Sequence, residues 1–195
     1  MSTSTTTTLE NTSTGIPSGK LGMWIFLASE VMFFTGLLGA YIVLRAGQAH
    51  WPHPGEELNI GLAALNTFIL LSSSMTMAMA VAAVHQGDLK KVRLFLFFTI
   101  LLGCAFLGVK GYEYSVKFAH GHFPGTALFW DCYFTLTGFH GLHVLAGIIT
   151  NLWIFLSAFR GDFLHRKGHF VELSGLYWHF VDVVWIFLFP LVYLI

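Results

Sequence analysis

Two pairs of ionisable residues lie where chemistry would have to be done without water. His140 and His143 sit in TGFHGLHV, inside an apolar run from Phe129 to Phe159, and His179 and Asp182 sit in YWHFVDVVWIFLF. Each pair is spaced three apart, which puts both members on one face of a helix. An ionisable side chain at the centre of a bilayer costs about 2.5–3.5 kcal/mol on insertion scales, so four of them call for a use. The simplest use is structural, a buried Asp satisfied by a neighbouring His. Neutral imidazole is also a common metal and haem ligand, and His140 or His143 opposite His179 would allow a bis-histidine haem. Against that, Gly138 and Gly141 flank the first pair and point to close helix contact, which leaves little room for a macrocycle. The sequence has no Cys-x-x-Cys-His attachment motif.

Three further groups stand out. Glu30 lies about ten residues into the first apolar run, about 15 Å below its edge; burial disfavours its charged form unless it is paired. Its readings are a structural carboxyl or a lipid-headgroup or proton-linked site. Lys110 and Glu113 have the i, i+3 spacing of an ion pair and fall toward the outer end of the third run, near the interface. The segment 160–169, RGDFLHRKGH, carries Arg160, Arg166 and Lys167 with His165 and His169 against Asp162. Such a cluster either fixes topology or attracts anionic headgroups. There is no phosphate loop, no nucleophile–His–acid set and no two-carboxylate site.

The elements that position these residues follow from composition. Hydrophobic residues make up 55% of the 195 and charged residues only 10%, against about 25% charge in soluble domains. A spanning helix needs about 20 mostly apolar residues. Five runs qualify, 20–45, 58–85, 91–118, 129–159 and 170–195, separated by Gly, Pro and charge. The expected fold is an all-α, polytopic membrane bundle of five transmembrane helices. Residues 1–19 are Thr/Ser-rich, lack the apolar core of a secretory signal and read as a disordered tail. A net charge of zero gives no electrostatic case for nucleic acid. Lys90, Lys91, Arg93, Arg160, Arg166 and Lys167 fall on one side, so the positive-inside rule puts the N-terminus inside and the C-terminus outside. Trp51, Trp130, Tyr133 and Tyr193 would form the outer aromatic belt.

Small residues suggest where helices touch: Ser72, Thr76 and Ala80 in the second run, Gly103, Gly108 and Gly111 in the third, and Gly138, Gly141 and Gly147 in the fourth. Cys104 and Cys132 read as small core residues. Depth along the helices puts His140 and His143 about 16–21 Å from one face and His179 and Asp182 about 14–18 Å from the other. The two pairs are therefore at similar heights and could meet.

Several motifs together resemble subunit III of haem–copper terminal oxidases. TGFHGLHVLAG (137–147) and YWHFVDVVWIFLF (177–189) are similar to its signature helices. GMWIFLASEVMFFTGLLGAY (22–41), LNTFILLSSS (65–74) and KGYEY (110–114) match in order, so the resemblance covers about 20–195. It implies an accessory chain without haem, copper or any other cofactor of its own. Its partners would be subunit I, the main contact, which holds haem and copper with subunit II, and tightly bound phospholipid. It implies support of proton uptake and of subunit I stability, in a bacterial cytoplasmic membrane. Glu30 matches a buried lipid-contacting Glu, and Arg160 and His165 match an anionic-lipid site, although Phe163 stands where some members carry Lys. Glu113, Glu172, His179 and Asp182 match family positions among the buried polar residues, beside His140 and His143. Longer members have two more helices that form one side of a lipid-filled cleft; without them that cleft is absent or completed by another subunit. Ser29-Glu30 and Leu-Asn-Thr resemble the cytochrome c branch more than the quinol branch; some members accompany nitric oxide reductases. Other classes are a membrane b-type cytochrome using His140, His143 and His179, and a small transporter using Glu30 and Asp182, for which no inverted repeat is visible.

Overall fold

The computed structural model describes residues 18–52, 58–160 and 163–195, without the side chains of residues 164–167. The Thr/Ser-rich tail lies outside the described residues up to position 17. The described elements are five helices: α1 (Ser18–Ala46), α2 (Ile60–His85), α3 (Leu89–Ala119), α4 (Leu128–Ser157) and α5 (Phe163–Phe189), with a final π-helical turn, Pro190–Leu194. All five are long and apolar enough to cross a membrane. Among the described residues there is no strand. The helices alternate in direction from α1 to α4. One end of the bundle carries the α2–α3 and α4–α5 connections with Lys20, Lys90, Lys91, Arg93 and Arg160, and is called the basic end below.

Helices α2 to α5 form a ring of four in which each packs on two neighbours, and α1 lies outside it against α5 and α4. The ring is knitted by polar side chains that reach across. On the α2–α5 seam the Trp185 indole N–H donates to Thr67 Oγ1 (2.9 Å), the Trp178 indole N–H to Ser73 Oγ (3.2 Å), and Ser74 Oγ lies 2.6 Å from His179 Nδ1. Thr67 and Ser74, like Trp178 and Trp185, are seven apart, so each set stays on one helix face. On the α2–α3 seam Ser73 donates to the Thr99 carbonyl (3.1 Å) and Thr76 pairs with Thr99 (2.8 Å). Such bonds matter in lipid because apolar surface gives helices no preference for one another.

Only some of the small residues act as contact points. A Cβ on Gly147 would lie 2.7 Å from the Trp178 ring, and one on Gly103 would lie 2.9 Å from it. These two glycines let α3 and α4 close around one indole. Gly108 and Gly111 have nothing within 4 Å, and Gly138 and Gly141 have only side-chain tips at 3.9 Å. The expectation of close contact beside the histidine pair is thus corrected: the close approach lies at the Trp178 level. Cys132 is buried but Cys104 is exposed on the bundle surface, contrary to its reading as core.

The ends are tied individually. Asp88 caps α3 by accepting from the Lys90 and Lys91 backbone N–H groups at 3.1 and 3.2 Å. The Lys91 N–H first of all holds its carboxyl below the usual range. Arg93 donates twice to the Ala158 carbonyl at the C-terminal end of α4 (3.0 and 2.6 Å), where the helix carries partial negative charge. Helix α5 starts at Phe163, so part of the basic segment expected as a break is helical. Hydropathy marks the membrane-embedded length, and a helix can run on beyond it.

Candidate functional site

The open face between α1 and α4 holds the first site. Glu30 Oε2 lies 2.9 Å from His143 Nε2, with both side chains part-buried. His143 Nδ1 lies 2.7 Å from the Phe139 carbonyl. A carbonyl can only accept, so Nδ1 carries a hydrogen. The contact with Glu30 is then made through the other ring nitrogen, Nε2, and ties α1 to α4. The ring is fixed further by Phe34, edge-on at 5.0 Å, while Tyr177 Oη donates to the His143 carbonyl at 3.0 Å.

The second site is enclosed in the ring. Lys110 Nζ donates to Glu113 Oε2 at 2.9 Å, and Tyr133 and Tyr193 both donate to Glu113 Oε1 at 2.9 Å. Lys110 also bonds the Tyr193 hydroxyl and stands 4.7 Å from the Trp185 and Tyr193 ring centres. Lys110 and Glu113 are 7% and 4% exposed, so the expected ion pair is enclosed by the protein. The three donors and the two ring faces are what admit charge there. Sequence spacing found the ion pair but missed both tyrosines, which come from α4 and the terminal turn, 20 and 80 residues away. Their assignment to an aromatic belt pointed elsewhere.

The remaining candidates separate. His140 is 1% exposed, with neither ring nitrogen bonded, and packs on Trp185 and Phe106 at ring distances of 4.9 and 5.7 Å. His179 bonds Ser74, not Asp182. Asp182 is 3% exposed and neither of its carboxylate oxygens has a partner. The expected satisfied His–Asp pair is therefore absent, and the two motif pairs do not bond one another; i, i+3 spacing gives a shared face but not a shared hydrogen bond. Glu172 sits at the basic end, 2.7 Å from Lys20 Nζ and 3.5 Å from His85 Nε2. Arg160 is exposed just beyond α4, and the His165 side chain lies outside the described residues. Among the described residues no group of three His, Cys, Asp or Glu could hold a metal ion.

Five membrane-length helices with a part-buried carboxylate–imidazole pair and an enclosed carboxylate–ammonium pair define a multi-pass membrane protein whose polar residues chiefly join helices. The family model for cytochrome c oxidase subunit III matches residues 2–195. Cytochrome c oxidase subunit 3 of Thermostichus vulcanus is 38% identical over 90% of this chain and 86% of its own length. Quinol oxidase subunit 3 of Bacillus spizizenii is 39% identical over 89% and 85%. The chain belongs to the cytochrome c oxidase subunit III family, and so to the subunits III of haem–copper oxidases that work beside other oxidase subunits.

Proposed function

We propose that this chain is the accessory subunit III of a proton-pumping haem–copper oxidase that reduces O2 to water. In this reading it carries no catalytic site or cofactor itself. It packs on subunit I, which with subunit II holds haem and copper, and it binds phospholipid. The N-terminus faces the cytoplasm of a bacterial inner membrane, as the grouping of Lys20, Lys90, Lys91, Arg93 and Arg160 at one end supports. The observation that carries the functional part is the 2.9 Å contact between Glu30 Oε2 and His143 Nε2, both only part-buried. That position suits exchange with a lipid headgroup or a partner surface and supports a role in proton uptake. Arg160 and His165 are the proposed contacts for an anionic headgroup.

The test is Glu30→Gln in the assembled oxidase. Gln replaces the carboxyl with a neutral amide of the same shape. A shortened turnover lifetime and slower proton uptake, with unchanged haem spectra, is the expected result. Altered haem spectra, or wild-type uptake and lifetime, would count against it. Ser29-Glu30 supports cytochrome c as donor, and oxidation of reduced cytochrome c but not of a quinol by the complex is expected. The 39% identity to a quinol oxidase subunit favours quinol as the second reading. The haem-protein alternative is less well supported by the histidines, since His143 faces Glu30, His179 faces Ser74 and His140 faces Trp185.

A further inference from the structure

A groove of about 440 Å³ opens at the basic end between α1, α2 and α5. Lys20, His85 and Glu172 line its mouth and His179 its inner part. Glu172, Gly175, His179 and Asp182 follow one another at intervals of three and four, so they mark one stripe of α5. The ten steps from Glu172 to Asp182 span about 15 Å of helix, inward from the basic end. Gly175 lets α5 pack closely on α2 beside the groove: a Cβ there would meet Val81 Cγ2 at 3.0 Å. Behind the groove His179 Nδ1 lies 2.6 Å from Ser74 Oγ. Ser74 is the nearest polar side chain acting on Asp182, a buried carboxyl that makes no hydrogen bond within 3.5 Å, so passing a proton to it needs the Ser74 hydroxyl to turn toward it.

We infer that Asp182 is an intramembrane proton-binding site, loaded from the groove through His179 and Ser74. A hydroxyl both accepts and donates, so Ser74 can join the imidazole to the carboxyl. A proton from groove water forms an N–H bond at His179 Nε2. The Nδ1–H bond breaks as that hydrogen passes to Ser74 Oγ, and the Ser74 hydrogen passes to Asp182. One proton enters, Asp182 goes from carboxylate to carboxyl, and the imidazole ends as its other tautomer; the reverse sequence unloads the site. An ionised carboxylate without a partner costs several kcal/mol in such surroundings, so the bound proton has a physical reason to be there. The titratable groups on the surrounding elements are His179 and Glu172 on α5, His85 on α2, Lys20 and Glu30 on α1, and His140 and His143 on α4. Tyr193 of the terminal turn is bonded to Glu113 and Lys110. Glu30 and His143 bond each other, and Lys20 and His85 are held by Glu172.

The inference needs only the membrane bundle, so its failure would leave the oxidase reading intact. The experiment is infrared spectroscopy of the full chain in lipid, transferred from H2O to D2O. The protonated-carboxyl C=O band that disappears in Asp182→Asn should be present in the unaltered protein and shift in D2O. In Ser74→Ala and in His179→Gln the band should persist while its exchange slows about a hundredfold, the lower end of what a positioned proton carrier contributes. Absence of such a band across the pH range where the chain is folded would overturn the site. Unchanged exchange in both relay variants would overturn the route. Ser74→Ala removes one oxygen only, so the route stays testable should Asp182→Asn fail to fold.

Discussion

Glu30–His143 and Glu113–Lys110 are both acid–base pairs inside membrane-spanning helices, yet they are built differently. The first joins the outlying α1 to α4 through one 2.9 Å contact and is part-buried. The second is closed inside the four-helix ring, and three donors satisfy its carboxylate. An enclosed pair with every partner inside the chain is a structural tie. The Glu30–His143 pair is less enclosed and joins the outlying helix to the ring through one contact. The same contrast separates α1, 17% of whose spanning window is buried, from α5 at 44%.

The comparison breaks most visibly at Lys110. Lys110→Met leaves Glu113 as a buried charge without its counter-ion and should cost about 3–5 kcal/mol. Lys110→Met with Glu113→Leu should recover most of that, both measured as unfolding in detergent. Glu30→Gln should change stability by no more than about 1.5 kcal/mol, because the amide can still donate to His143 Nε2 and only one hydrogen bond is altered. A loss as large as that of Lys110→Met would mean that the open pair is structural too.

Packing gives the next effect. Gly147→Ala drives a methyl to 2.7 Å from the Trp178 ring and should cost about 1–3 kcal/mol as an overpacked contact. Gly138→Ala, with its nearest atom at 3.9 Å, should be neutral in the same melt. Trp185→Phe removes the bond to Thr67 and should cost about 0.6 kcal/mol for that bond, beside whatever packing is lost with the indole. The smallest effect lies at the basic end. The carboxyl of Asp88 is held low in the folded chain, so its contribution is present above the unfolded carboxyl range and fades as pH falls through the folded value. Asp88→Ala should flatten the acid limb of the pH–stability curve.

Much of this was legible in the sequence. The five helices followed from apolar length, and the pairing of Lys110 with Glu113 followed from local spacing. What stayed hidden was which helix faces which. Glu30 and His143 each stand out in the sequence, but they are 113 positions apart and nothing local pairs them. The sequence places Tyr133 and Tyr193 in a belt because an apolar run reports their depth and not their neighbours. Conversely, Gly138 and Gly141 looked like contact points because a small residue shows only that close approach is possible. Gly147 and Gly103 are contact points because Trp178 of a third helix fills the space they leave.

The most direct test of the oxidase-subunit reading is a reduced-minus-oxidised optical spectrum. It would be taken on the complex captured through this chain in mild detergent and on the chain alone. Haem bands in the captured complex and none in the isolated chain are the expected result. Haem in the isolated chain, or none in the captured complex, would contradict it.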